Sequence, residues 1–241
     1  MFKRKILTSL IIALALGVSG VWAGDTASFV DLGFSPDGKT YMFAQYGLQS
    51  KTLRPWADLF IVDVTRNNFV PGGKISYVHD NPVVSGQDGS GALFRVIARN
   101  ASLAEKYGVN FCFQGQPLYI ALDNAGIDGS PGQDAAGPAA IEFRDFESGA
   151  SYRASLVSYV ESSAGDLKSS FYINLERTAK DGSKKNYTMG TPQLKRPLVE
   201  SYRIRKVMIA PRDGSMVMVI EMKKQEAGDS VIRYMVEALH L

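Results

Sequence analysis

Residues 29–64 read FVDLGFSPDGKTYMFAQYGLQSKTLRPWADLFIVDV, and the punctuation of this stretch sets the fold class. Phe29-Val30-Asp31-Leu32-Gly33-Phe34 has the period-two apolar pattern of a strand. Ser35-Pro36-Asp37-Gly38 is a tight turn: Pro fixes φ, Asp bonds the following amides, and Gly accepts positive φ. Thr40-Tyr41-Met42-Phe43-Ala44-Gln45-Tyr46 is the return strand. A polar, Pro-containing loop runs from Gly47 to Pro55, and Ala57 to Val64 is a strongly apolar third strand. That strand ends near Thr65-Arg66-Asn67-Asn68, with a second turn expected at Pro71-Gly72-Gly73.

The C-terminal residues repeat this order. Tyr202 to Ile209 leads into Ala210-Pro211-Arg212-Asp213-Gly214; Ser215 to Met222 returns; Gly228-Asp229 turns; and Ser230 to Leu239 closes. Strand, Pro- and Asp-Gly-containing turn, strand, loop and apolar strand recur, a self-similarity that bears on any fold assignment. Phe34-Ser35-Pro36-Asp37-Gly38-Lys39 resembles the FSPDGK signature of the WD40-like β-propeller repeat of periplasmic TolB-type proteins, with Val62-Asp63-Val64 at the place of its third strand. The second copy departs from the signature at Arg212 and Ser215. Taken whole, the chain resembles a family of predicted secreted bacterial proteins of uncharacterised role, which implies export and no particular chemistry.

Between the two units the pattern changes. Ser90 to Tyr107 is expected to be one amphipathic helix, capped by Ser90 and stopped by Gly108, with Leu93, Val96, Ile97, Leu103, Ala104 and Tyr107 on one face. Val109 to Phe113 and Leu118 to Leu122 are expected strands about the turn Gln114 to Pro117. Asp123 to Pro138 is a long Gly-, Asp- and Ala-rich loop. Ala140 to Phe146, Ser151 to Glu161, Ser169 to Thr178 and Lys185 to Met189 have the spacing of an antiparallel meander. The expectation is a mainly β, β-rich α+β protein of antiparallel strands and hairpins. It has blade-like units at both ends, which could pair into one sheet, and one helix. Residues 24–241 would form a single domain, with a possible internal boundary at 190–197 in the polar, Pro-containing stretch Gly190 to Pro197.

The first 23 residues are set apart. Lys3-Arg4-Lys5 precede an apolar run from Ile6 to Val18, and Gly20-Val21-Trp22-Ala23 offers small residues at the cleavage positions before Gly24. This is the layout of a secretory leader, with an apolar run shorter than the roughly 20 residues a membrane span needs. Export to the periplasm or the medium follows, with no transmembrane segment after cleavage. Three of the 27 Lys plus Arg, and none of the 24 Asp plus Glu, lie in the leader, so the exported chain is formally neutral. A neutral chain lacks the field that gathers polyanions, which argues against nucleic acid as a partner. Lys184-Lys185 and Lys195-Arg196 are expected in solvated turns. The single thiol, Cys112, permits no internal disulfide and is expected buried in an apolar strand.

Catalytic signals are weak. Of two histidines, His240 is expected to fray at the terminus, while His79 and Asp80 are strand neighbours pointing to opposite faces. No G-x-S-x-G elbow occurs. The acidic loops Asp80 to Gly91 and Asp123 to Asp134 lack the EF-hand spacing that calcium binding would use, and Asp with Gly favours turns. Asp123, Asp128 and Asp134 could converge on calcium only if their loop folded back. Glu142, Asp145 and Glu147 are expected on the solvent side of a strand, and Tyr41, Phe43, Phe111, Phe113, Phe143 and Phe146 in the core. Trp56, ending the Gly47–Pro55 loop, is either packed at a strand start or an aromatic anchor for a partner. No cofactor, metal site or catalytic residue is expected. The favoured role is a non-enzymatic envelope module binding a protein or small molecule. The alternative is a carboxylate-dependent hydrolase of envelope polymers, its carboxylate pair unmarked in the sequence.

Overall fold

The computed structural model describes residues 25–84, 86–122, 140–163, 166–226 and 228–241. The leader and the Asp123, Asp128 and Asp134 loop lie outside the described residues. Among the described residues, thirteen strands form three antiparallel sheets. The first holds β1 (Ser28–Phe34), β2 (Thr40–Leu48), β3 (Pro55–Asp63) and β4 (Asn68–Val78) in chain order. The second holds β6 (Ala140–Arg144), β7 (Ser151–Ser163) and β8 (Asp166–Thr178), with β9 (Lys184–Met189) and β10 (Arg196–Pro197) both on the outer edge of β8. The third runs β13 (Asp229–Leu239), β12 (Met216–Glu226), β11 (Val199–Ile209) and β5 (Gln116–Ile120).

The mainly β class expected from the sequence is the observed one. The end units, however, do not merge into one sheet; they stack face to face. Phe34, Tyr41, Phe43, Trp56, Phe60 and Val62 of the first sheet meet Val217, Val219, Tyr234 and Val236 of the third. On its other face the third sheet packs Met216, Met218 and Ile220 against Phe171, Ile173 and Leu175 of the second. Alternation sends successive residues of β12 to opposite faces, and both faces here are apolar, so Met216 to Ile220 are all fully buried. Backbone pairing between the end units comes from the parallel bridge Thr26–Ile232, where Ala27 donates to Ile232 and Ile232 to Asp25. The three sheets stack and do not close into a propeller, and helices cover the outer face of the first.

Those helices are two, α1 (Ser90–Arg99) and α2 (Ala101–Lys106), rather than one. Asn100 divides them: its side chain donates to the Val96 carbonyl at 2.7 Å and its backbone leaves helical geometry. Ser90 does not cap. It is the first helical residue, and Asp88 accepts its amide and hydroxyl hydrogens. Gly108, at φ +65°, ends α2 as expected, with Val109 donating to Ala104 and Gly108 to Glu105 in a Schellman pattern. Ala92, Leu93, Val96 and Ala104 pack on Met42, Ala44, Leu59 and Ile61.

Several local expectations are corrected. Pro71-Gly72-Gly73 is not a turn but a bulge within β4, where Phe60 pairs with Lys74 and Val62 with Phe69. Val109 to Phe113 is not a strand: Asn110 draws it into a turn, and its backbone bonds the end of β1 through Phe34. Phe111 and Cys112 are therefore exposed, so the single thiol is not a core residue. Phe146 is 86% exposed, just beyond the end of β6. Asp145 is buried, accepting hydrogen bonds from Glu147 and Ser148 in the following turn.

Candidate functional site

Strand periodicity places Trp56, Asp58, Phe60 and Val62 on the face of β3 turned toward the third sheet, with Lys74 and Ser76 beside them on β4. Opposite lies β13, the edge strand of the third sheet. The space between them is a cleft with two lobes that share Asp58, Glu226 and Arg233.

The first lobe, about 430 Å³, is built on Asp25, Trp56 and Arg233. Trp56 is 6% exposed, so the structure places it as packing at a strand start while it still lines the lobe. Its indole N–H donates to Asp25 Oδ2 at 3.0 Å, and the Arg233 guanidinium lies 4.3 Å from its ring centre. Arg233 also donates to Asp25 Oδ2 at 2.8 Å and to Glu226 Oε2 at 2.7 Å. Burial pushes the Asp25 carboxyl above its ordinary range, outweighing the lowering by Arg233 and Trp56. Ser50 and Lys51 close the rim on Asp229.

The second lobe, about 500 Å³, runs along the outer edge of β13. Its apolar wall is Phe60, Val62, Phe69, Leu194 and Met222; its polar wall includes Asn67, Lys74, Arg196 and Glu237. Phe69 and Leu194 are about half exposed at its mouth. Alternation in the β12–β13 ladder turns the backbone groups of Ile232, Tyr234, Val236 and Ala238 outward. Gln45 Oε1 accepts from the Tyr234 amide at 2.8 Å, and Asn67 Oδ1 from the Ala238 amide at 2.7 Å. These side-chain amides blunt an edge that would otherwise invite another strand. Glu237, buried at one end, accepts from the Asn67 amide and lies 3.8 Å from Arg196. Burial is the leading cause raising its carboxyl. Arg196 is not a solvated turn residue: it is held over the Phe171 ring at 4.7 Å.

The remaining sequence candidates fall elsewhere. His79 Nδ1 accepts from the Asn81 amide at 3.1 Å, and Asp80, 98% exposed, reaches Arg54 instead. Glu142 pairs with Arg153 on the second sheet. His240 is not frayed; its Nδ1 lies 3.0 Å from Ser215 Oγ and 3.5 Å from Asp213 Oδ2. The three residue types of a hydrolytic triad thus meet, but in the wrong order. The fully buried Ser215 hydroxyl donates straight to Asp213 at 2.7 Å, whereas a triad needs the histidine between them.

Sequence reasoning missed Asp25, Gln45, Asn67, Arg196, Arg233 and Glu237 as neighbours. Arg233 and Glu237 break the apolar pattern of Val231 to Leu239. That interruption was the available signal, although it names no partner.

The model of the DUF2259 family, described as predicted secreted proteins, matches residues 42–240. The chain belongs to this family. The match spans β3, β4 and β13, so both walls of the cleft lie within the family region, while Asp25 precedes it. The protein is exported, in keeping with the description of its family. Among the described residues no helix is long and apolar enough to cross a membrane. Comparison with curated proteins and with solved structures finds no match.

Proposed function

We propose that this DUF2259 protein is a non-enzymatic binding module of the cell envelope whose ligand or partner segment seats in the cleft between the first and third sheets. The observation that carries this reading is the second lobe, where half-exposed Phe69 and Leu194 flank an apolar wall rimmed by charge. Apolar surface with a few placed polar groups is the usual composition of a ligand site. The buried carboxylates support binding rather than chemistry. Asp25 is committed to Arg233 and Trp56, and Glu237 to Asn67 and Arg196. Trp56 serves as a packed floor that orients Arg233, its contact with a partner being indirect.

A photo-crosslinking residue at Lys74 or Ser76, both exposed on the cleft wall, tests this in the exporting cell. The control is the same residue at Glu142 on the second sheet. A discrete adduct from positions 74 and 76 that is absent from 142 supports the cleft as the binding face. The same adducts from all three positions, or from 142 alone, overturn it.

A further inference from the structure

The first lobe contains a buried acceptor that no donor reaches. Asp25 is 7% exposed, and its Oδ2 accepts from Trp56 and Arg233, yet its Oδ1 has no hydrogen-bond partner among the described residues. A buried carboxylate oxygen without a donor is costly. The charges around it do not balance either. Asp25, Asp58, Glu226 and Asp229 line the lobe. Lys51 pairs with Asp229, Arg233 with Asp25 and Glu226, and Lys224 reaches Glu226 from the adjoining lobe. Four carboxylates thus face three cations. Asp58 accepts from the Gln45 side-chain amide at 3.1 Å and has no ion pair among the described residues. Glycine at position 47 keeps the space before Oδ1 open, since a Cβ there would lie 3.0 Å from that oxygen and 3.2 Å from the Trp56 ring.

A ligand that matches this site carries positive charge and an N–H donor. Among the described residues no group of three or more His, Cys, Asp or Glu side chains is placed to hold a metal ion, so the matching ligand is an organic cation. A guanidinium grips a carboxylate through both oxygens, and Oδ2 is already shared by Trp56 and Arg233. An ammonium is a point charge that needs one acceptor oxygen, and Oδ1 is one. Tyr77, Val78 and Val231 line the same lobe and offer an alkyl stem an apolar side, in a volume of about 430 Å³. We infer that the first lobe binds a primary alkylammonium group, its nitrogen donating to Asp25 Oδ1 with Asp58 as second counter-charge, and its stem against Tyr77 and Val231. The inference rests on the reading of the cleft as the binding face and names the chemistry that one of its lobes selects. Burial pushes the Asp25 carboxyl up, and an ammonium at Oδ1 offsets this by favouring the charged form.

Titration of the exported protein with butylammonium chloride at constant ionic strength tests this. The Trp56 indole N–H, which donates to the same carboxylate, reports binding through its NMR shift. A saturable shift is expected from butylammonium. None is expected from tetramethylammonium, which has the charge and no N–H, or from butan-1-ol, which has the stem and no charge. Asp25→Asn should weaken binding roughly tenfold or more, and Asp58→Asn about threefold. No saturable shift, an equal shift from either control, or unchanged affinity in Asp25→Asn overturns the inference. Should Asp25→Asn fail to fold, unchanged affinity in Asp58→Asn overturns it. Nα-acetyl-lysine N-methylamide, titrated in parallel, separates two sources of the group. Tighter binding than butylammonium assigns it to a protein's lysine and weaker binding to a free amine, and either supports the site. If butylammonium fails while positions 74 and 76 still crosslink, this inference falls and the cleft reading stands; loss of those adducts overturns the wider reading instead.

Discussion

The first and third sheets are written in the same local vocabulary and used in opposite ways. In each, a strand turns through Pro and Asp-Gly and returns on an apolar strand. The closing bonds match too, Ser35 donating to Thr40 and Ala210 to Ser215. Yet the third sheet is covered by sheets on both faces, whereas the first has a sheet on one face and two short helices on the other. Their turns differ as well: the left-handed residue is Gly38 in one and Gly214 in the other, a step later relative to the closing pair. The two turns touch, with Gly38 lying directly under the Asp213 carboxylate. Local sequence thus specifies a hairpin, and the position of the hairpin in the stack decides how much each residue contributes.

The largest effect expected from this contrast is at the centre of the stack. Met218→Ala, fully buried between sheets, should cost about 4 kcal/mol, against about 1 kcal/mol for the half-buried Ile75→Ala on the edge strand of the first sheet. Equal costs in urea unfolding would break the contrast. Arg233→Met removes the cation that joins the two sheets at the cleft and leaves Asp25 buried and uncompensated. A loss of about 3 kcal/mol is expected, and a loss below about 1 kcal/mol in the same assay would show that the clamp contributes little.

The two turns sharpen the comparison further. Gly38→Ala places a Cβ 2.1 Å from the Asp213 carboxylate at φ +67°, whereas Gly214→Ala at φ +75° meets open space. Thermal unfolding should show a cost of about 2 kcal/mol for the first and about 1 kcal/mol for the second. The reverse order would mean that the turns are not in contact in solution.

The smallest effect is one of pH. The Glu237 carboxyl is raised from its ordinary 4.5 by burial, so above that value the folded protein holds a proton that the unfolded chain has lost. The contribution of Glu237 to stability therefore falls as pH climbs from about 4.5 through the raised value. Glu237→Gln lacks this loss, so its stability relative to the parent should improve between pH 4 and pH 7. A difference in melting temperature that does not change with pH would refute the assignment.

How far the sequence carried can be seen residue by residue. Strand periodicity located β1 to β3 and β11 to β13 within a residue or two at most ends, and Gly108 marked the end of the helical region. It failed where a side chain competed with the backbone. Asn100 split the helix, Asn110 turned the expected Cys112 strand outward, and the Pro71-Gly72-Gly73 bulge sat inside a ladder. Trp56 was seen as either packed or partner-facing. Its neighbours were not seen, because Asp25 and Arg233 lie at opposite ends of the chain.

By itself the sequence determined export, the antiparallel β class and the hairpin punctuation, since these depend on charge, period and φ preference over a few residues. Only the tertiary structure decided which face of each strand was covered, that the end units stack instead of pairing, and that Trp56, Asp25, Arg233, Asn67 and Glu237 line one cleft. Those outcomes depend on contacts between residues as far apart as Asp25 and Arg233, and an alternating pattern records that a face is apolar without recording what it meets.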